Sequence, residues 1–232
     1  MIMIHSDDTG LVLPPRVALV QVVLIPITKK DTPDELKHKI YEIAEELKQA
    51  GVKVQVDDRS NYNPGFKFNH WELRGVPLRL ELGPNDLMNQ EVRLVRRVDG
   101  VKVQASMEGL GERVRVMLDE IHDAMYQRAF EKREARTARC STWEELMAEL
   151  NKRNLVLAPW CNVQSCEKDV KKRSALDSQA YIESTGDSGE DALTGAAKTL
   201  NIPYEQAALP EGTKCFACDN EAKVTALWGR SY

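Results

Sequence analysis

An α/β fold in two parts is predicted by three features of the 232-residue sequence. Strand-like and helix-like patterns alternate through the first half, a long charged helical stretch follows, and the last third carries four cysteines in two close pairs. The first part reads as a mixed sheet with flanking helices, the last as a smaller α/β domain. A hydrophobic content of 42% is enough to bury two modest cores.

Taken in order, MIMIH and GLVLPPR read as two short strands joined by the turn SDDTG, the second stopped by Pro14 and Pro15. Val17 to Ile27 is a Val/Leu/Ile run without alternation, which marks a strand buried on both faces. A helix follows, with Thr32 as N-cap, Pro33 at its first position and Glu35 closing a capping box. Leu36, Ile40, Ile43 and Leu47 form its apolar stripe, and Gly51 ends it. Val52, Val54 and Val56 alternate as a strand, the polar turn DDRSNYNPG follows, and Phe66 to Leu73 form a short helix stopped by Gly75 and Pro77. Leu78 to Leu82 and Val92 to Val95 read as strands, with Val101 to Ala105 pairing back across the turn Asp99-Gly100. Glu112 to Arg139 is predicted as one connector helix packed through Val116, Ile121, Met125 and Ala129. The next helix starts at Ser141 or Thr142, with Glu144 or Glu145 completing a capping box. Beyond it come the strand LVLAPW, the first cysteine pair, a long Ser/Gly/Asp-rich segment, the second pair and the final strand KVTALW.

A net charge of -4 argues against a protein that coats nucleic acid over its whole surface, but leaves room for a local basic patch. No stretch approaches the roughly 20 apolar residues of a membrane helix, and the N-terminus lacks a signal peptide's basic start and apolar run. The expectation is a soluble, cytoplasmic protein. In a reducing compartment close cysteine pairs point to metal before disulfide. Cys161-x4-Cys166 and Cys215-x2-Cys218 fit a structural zinc site of four thiolates, with no histidine nearby. Two disulfides or two buried free pairs are the alternatives. Cys140 reads as an inert thiol at a helix start, and His5, His38 and His122 as isolated surface or packed residues. No Ser/His/Asp order, HExxH or phosphate-cradling glycine loop occurs, so the residues themselves define no complete active site.

The stretch NPGFKFNHWELRGVPLRLELGPNDL, residues 63 to 87, differs from the rest. Between residues 59 and 102 eight Lys/Arg face five Asp/Glu, a net of +3 inside a chain of net -4. Unpaired RNA bases are held by aromatic stacking and by hydrogen bonds to their edges, and phosphates by basic side chains. Phe66, Phe68 and Trp71 supply faces, Glu72 and Asp86 acceptors, Arg74 and Arg79 donors. The plainer account makes Phe68, Trp71 and Leu73 the core face of a short helix with a solvated arginine rim.

HSDDTGLVLPPRVA, DRSNYNPGFKFNHWELRGVPLRLELGPND, the cysteine pairs and the terminal WGRSY together resemble the C-terminal part of prolyl-tRNA synthetases of the eukaryotic and archaeal type, over essentially the whole chain. The resemblance implies that residues 1–16 end a class II catalytic domain, with Arg16 the motif-three arginine that holds ATP phosphates. Residues 17–110 would be the anticodon-binding domain, 111–140 a connector helix and 141–232 the zinc-binding domain. It further places Phe68, Glu72, Arg79, Asp86 and Lys102 at the two guanines shared by proline anticodons, and the carboxylate of Tyr232 near the catalytic site. Where relatives carry a basic residue before Asp86, this chain has Asn85, which weakens that contact. The first two class II motifs do not occur here, so the resemblance implies a piece of the enzyme that does not activate proline by itself. The partners implied for the whole enzyme are tRNA, proline, ATP with Mg and a second copy of the chain, and a fusion to a glutamyl-tRNA synthetase is compatible with the sequence. A free-standing RNA-binding or regulatory module and a structural zinc module are the competing readings.

Overall fold

The computed structural model describes residues 1–27, 34–185 and 195–230 and divides into two units, Met1–Phe130 and Glu131–Tyr232. In the first unit α1 (Ile2–His5) precedes β1 (Val22–Pro26), α2 (Asp34–Gln49), β2 (Val54–Val56), α3 (Pro64–Leu73) and β3 (Leu78–Leu82). The short α4 (Pro84–Met88), β4 (Glu91–Arg96), β5 (Lys102–Ser106) and the long α5 (Leu110–Ala135) complete it. The sheet runs β2-β1-β3-β4-β5. Strand β1 lies parallel to both β2 and β3, while β3, β4 and β5 pair antiparallel. All five residues of β1 are buried, as the unbroken apolar run requires of a central parallel strand.

The two faces of this sheet differ. On one, Val22, Leu24, Leu78, Leu80, Leu82, Val92, Leu94 and Ala105 form the main core with Leu36, Ile40, Ile43 and Leu47 of α2. Helix α5 closes that core with Leu110, Val114, Leu118, Ile121 and Met125. Val116 is 43% exposed, which corrects the predicted stripe: it lies five residues before Ile121, about 140° round the helix from the packed face. On the opposite face only Val23 and Ile25, with Trp71 and Val76, make a small second core. There α3 covers β1 and leaves the outer strands open. The Thr32 and Pro33 start proposed for α2 lies outside the described residues, while Gly51 does stand just past its end in the left-handed region, φ 81°.

Three further expectations are corrected. MIMIH is a single helical turn, because its amides bond back to Met1 and Ile2 and it pairs with no strand among the described residues. Residues 11–13 bond to the end of α3 through Leu11 N–H to Leu73 O (3.0 Å) and Leu13 N–H to Gly75 O (3.1 Å), and Pro14 O accepts from Val17 and Ala18 in a turn. This holds the N-terminal segment against the end of α3 without forming a strand. Helix α4, unpredicted, follows β3 at once.

The second unit comprises β6 (Thr137–Arg139), α6 (Trp143–Asn151), β7 (Leu155–Trp160), α7 (Gln164–Thr185), β8 (Ala197–Asn201) and β9 (Val224–Arg230), with the sheet order β6-β7-β9-β8. Residues 137–139, read as helix, pair instead in parallel with β7. Thr142 and Glu145 form the capping box: Thr142 Oγ1 accepts from Glu145 N–H (3.3 Å) and the Glu145 carboxylate accepts from Thr142 N–H (3.3 Å). The Ser/Gly/Asp-rich segment begins with the 22-residue helix α7. Its buried stripe is Cys166, Val170, Ser174 and Ser178, spaced by four but half of it serine, so hydrophobic periodicity does not show it. Ser174 Oγ stays satisfied by accepting from Ala197 N–H at 2.8 Å. None of the described helices is long and apolar enough to cross a membrane.

Where the N-terminal segment meets α3, Gly75 has φ 71° and a Cβ there would lie 2.7 Å from the Leu11 backbone, whereas Gly51, φ 81°, has open space. Gly51→Ala should therefore cost about 1 kcal/mol for its backbone alone. Gly75→Ala should cost at least about 1 kcal/mol more, because packed backbone must also move. Urea unfolding of the two variants measures the difference, and equal costs would show that residues 11–14 do not hold the end of α3.

Candidate nucleic-acid interface and metal centre

The first site is built on Asp57, the residue after β2, whose side chain is 1% exposed. Asn63 caps α3 by accepting from Phe66 N–H (2.8 Å), and Pro64 occupies the first turn. This sets α3 so that Lys67 and Trp71 point inward. Trp71 Nε1–H donates to Asp57 Oδ2 (2.8 Å), Arg59 donates to both Asp57 oxygens (2.8 and 2.7 Å), and Lys67 Nζ donates to the Asp57 carbonyl (3.1 Å). Burial by itself raises the Asp57 pKa. The hydrogen bonds from Arg59 and Trp71 outweigh it and bring the carboxyl down to about 2.

Beside Trp71, on the flank of α3 that faces β3, stand Phe68 and Glu72. Arg79 of β3 donates through Nε to Glu81 (2.9 Å) and through Nη1 to Glu72 (2.6 Å), and its guanidinium lies 4.1 Å from the Phe68 ring centroid. Arg79 and Glu81 side chains are each 10% exposed, while Glu72 keeps 43%. The structure thus brings together three of the five predicted base contacts. Strand register extends the same face: Arg79 lies opposite Val95, and Val95 opposite Lys102; Glu81 lies opposite Arg93, and Arg93 opposite Gln104. Lys102 is exposed on the outermost strand of that face. Asp86 is half-buried and accepts from Gly83 N–H (2.8 Å) at the start of α4, beside the exposed Asn85.

Arg16 sits elsewhere, exposed, within 3.3 Å of Asp119 and 3.7 Å of Asp123 on α5. Tyr232 lies outside the described residues. Arg97, which the sequence offers only as one of several basic neighbours of residues 63–87, is almost buried: it donates to both Asp7 oxygens (2.8 and 2.7 Å) and to the Glu72 carbonyl (3.0 Å). Those bonds, with Thr9, hold the Asp7 carboxyl well below the usual range. The anchoring roles of Asp57 and Arg97 were missed because both stand in polar runs, DDRS and RRVD, where a buried member has no pattern to distinguish it.

In the second unit Cys161 follows β7 directly, Cys166 lies in the first turn of α7, and Cys215 and Cys218 lie on the loop before β9. That loop is pinned by Cys215 N–H to Asn220 O (2.9 Å) and Phe216 N–H to Pro159 O (3.0 Å). The four sulfurs lie within 4.8 Å of one another, with Cys166 to Cys215 and Cys161 to Cys218 each at 3.8 Å. This cluster can hold a metal ion, and it contains no histidine. Burial pushes the Cys161 and Cys166 thiols up. At Cys215 burial acts the same way but backbone N–H donors, among them Ala217 and Cys218, prevail and bring it down. Cys140, apart from the cluster, is pushed up to about 12 by burial and by Glu145 and Glu149, as an inert thiol should be.

A half-covered sheet whose open face carries cations and carboxylates, followed in the chain by a four-cysteine α/β unit, is a two-domain α/β arrangement with a candidate nucleic-acid interface and a candidate metal centre. Residues 21–117 match the model of the anticodon binding domain, and residues 143–232 that of the prolyl-tRNA synthetase C-terminal domain. The chain belongs to the prolyl-tRNA synthetases of the eukaryotic and archaeal type, of which it carries these two domains. It is 47% identical to the cytoplasmic proline–tRNA ligase of Arabidopsis thaliana, covering 100% of this chain and 41% of the relative. For the proline–tRNA ligase of Thermococcus kodakarensis the values are 41% identity, 100% and 44%. For the bifunctional glutamate/proline–tRNA ligase of Drosophila melanogaster they are 38%, 100% and 14%. The chain spans less than half the length of these relatives.

The Asp57 node has a measurable pH signature. Its folded pKa, about 2, lies below the usual 3.8, so its stabilisation is complete above pH 4 and is lost as pH falls towards 2. A depression of that size is worth about 2 kcal/mol. Asp57→Asn should lower stability at pH 7 by at least that amount and remove the corresponding part of the acid limb, as read by urea unfolding at pH 7, 4 and 2.5. An unchanged acid limb would place the sensitivity in other carboxylates.

Proposed function

We propose that the first unit reads the anticodon of proline tRNA and that the second is held by a structural zinc ion, both in the service of ATP-dependent attachment of proline to tRNA. The observation that carries the reading is the Phe68, Glu72, Arg79, Glu81 cluster on the open sheet face. A guanine offers N1–H and N2–H donors on one edge and the O6 and N7 acceptors on the other. Glu72 is the exposed member of the cluster and has a second oxygen for a base N–H. Arg79 uses Nε and one Nη1 hydrogen on carboxylates and keeps further N–H groups for O6 or N7. Phe68 stacks on Arg79 and keeps the guanidinium flat, so that the fork arrives in one orientation. Asp86 and Lys102 complete the contact, and Asn85 supplies no charge beside them.

The four sulfurs fit the metal. A tetrahedron with Zn–S bonds of about 2.3 Å has edges of about 3.8 Å, the spacing of both cross-pairs. Four protein ligands leave no open position for a water, so the ion's contribution is to the fold. For the whole enzyme we propose proline and ATP with Mg as substrates, a homodimer, and the cytoplasm as its place of action. Residues 1–16 would then end the catalytic domain, with Arg16 at ATP phosphates and the Tyr232 carboxylate close by, and residues 111–140 would connect the two domains.

Filter binding of proline tRNA against transcripts changed at each anticodon guanine tests the first part. Arg79→Ala should cost about 1–3 kcal/mol and relax discrimination at one guanine. An equal loss on every transcript would make Arg79 a phosphate contact, and a chain indifferent to both guanines would be a general RNA-binding module. For the second part, mass spectrometric metal analysis should find one zinc per chain in the native protein and less in Cys215→Ser. Chelation should lower the melting temperature of the native protein and leave that of the variant unmoved. A metal-free native protein of equal stability would remove zinc from the account.

A further inference from the structure

We infer that Arg93, oriented by Gln104, is an RNA phosphate contact beside the base-reading cluster, a position that neither the sequence pattern nor the family resemblance assigns. The inference rests on the anticodon reading above. Its basis is the pairing register. Arg93 stands directly opposite Glu81 of β3 on one side and Gln104 of β5 on the other, so all three side chains rise from the open face of the sheet. Opposite Glu81, Arg93 has a carboxylate within easy reach, yet that carboxylate is taken by Arg79 at 2.9 Å. Arg93 instead donates through Nε to Gln104 Oε1 at 3.3 Å and forms no ion pair among the described residues.

A neutral acceptor on Nε aims the guanidinium without neutralising it. The two Nη groups remain for a bidentate contact, the geometry in which arginine meets a phosphate. Arg93 and Gln104 are both exposed, and Lys102, two residues along β5 from Gln104, is a second exposed cation without an ion pair among the described residues. The alternative, a base contact, fits less well. Base edges are read where several polar groups converge, which here is the Glu72 and Arg79 cluster, whereas the strand pair β4–β5 presents single, separated cations that follow a backbone. On this face β4 and β5 carry Arg93, Lys102 and, by the same register, one carboxylate, Glu91, in a chain of net charge -4.

Binding of the proline-tRNA anticodon stem-loop to the 232-residue chain, measured by fluorescence anisotropy at several salt concentrations, tests this. Arg93→Ala should weaken binding about three- to tenfold, equally for the native loop and for loops changed at either guanine, and should reduce the salt slope by about one. Arg93→Lys should recover the slope but not the whole affinity, and Gln104→Ala should weaken binding less than Arg93→Ala. Arg79→Ala is measured on the same panel. If Arg79→Ala relaxes discrimination while Arg93→Ala binds like the native chain, or loses affinity only for the native loop, the phosphate assignment is overturned and the anticodon reading stands. If neither variant changes binding, the anticodon reading falls and this inference with it.

Discussion

The first unit depends on a buried carboxylate. Asp57 stands where the chain leaves the short edge strand β2, and what binds it comes from α3 and from the connecting turn: the indole of Trp71, the guanidinium of Arg59 and, on its carbonyl, the ammonium of Lys67. An ionised carboxylate 1% exposed is tolerable only when donors replace its water. Satisfying it fixes how far α3 lies across β1 and how it is rotated. That rotation carries Phe68 and Glu72 to the flank where Arg79 waits. The Phe68, Glu72 and Arg79 cluster is therefore a consequence of a polar anchor on the other flank of the same helix.

The sheet's asymmetry follows from the same arrangement. Helices α2 and α5 seal one face with aliphatic side chains, and this is where burial of apolar area stabilises the unit. The short α3 packs on β1 and meets β3 only through Phe68 and Glu72 at Arg79, so β3 changes character between its faces, with Leu78, Leu80 and Leu82 pointing one way and Arg79 and Glu81 the other. All five residues are buried nevertheless. Two carboxylates meet one guanidinium there, and a buried ionic cluster of this kind adds less stability than well-packed hydrocarbon of the same volume. Its presence in a strand otherwise fit for a core is the local inconsistency expected where a fold makes room for recognition.

Much of this was legible in the sequence where periodicity is strong. The stripe Leu36, Ile40, Ile43, Leu47 and the unbroken β1 run marked their elements because apolar side chains carry them. Strand β3 was placed to the residue, bounded by Pro77 and Gly83, and the Thr142 and Glu145 capping box marked the start of α6. Helix α7 was not legible, since serines do the work of its buried stripe, and the N-terminal turn was mistaken for a strand because MIMIH has strand-like composition and no partner. At the site, the resemblance named Phe68, Glu72 and Arg79, and the structure shows them in contact. Asp57, Arg97 and Arg93 sit in charged runs, and only burial or register separates them from their neighbours.

The two units solve one problem in different ways. Both are small sheets with limited apolar cover, and each needs a polar device to hold a loop or helix that hydrophobic burial cannot. The first uses Asp57, whose donors come from within its own strand-turn-helix segment. The second must join the end of β7 and the start of α7 to a loop about fifty residues further on, and no carboxylate bridges that distance among the described residues. Four sulfurs within 4.8 Å of one another do meet there and can hold a metal ion; in the proposed zinc site a cation between thiolates would close the long loop with a few strong bonds. Burial raises the thiols of Cys161 and Cys166, whereas backbone N–H donors bring Cys215 down, and the cluster packs against the core of Trp143, Phe216 and Trp228. In the proposed zinc site a dication would turn the same burial from a cost on charge into protection of the metal–sulfur bonds, adding to the backbone bonds of Cys215 and Phe216 that pin the loop before β9.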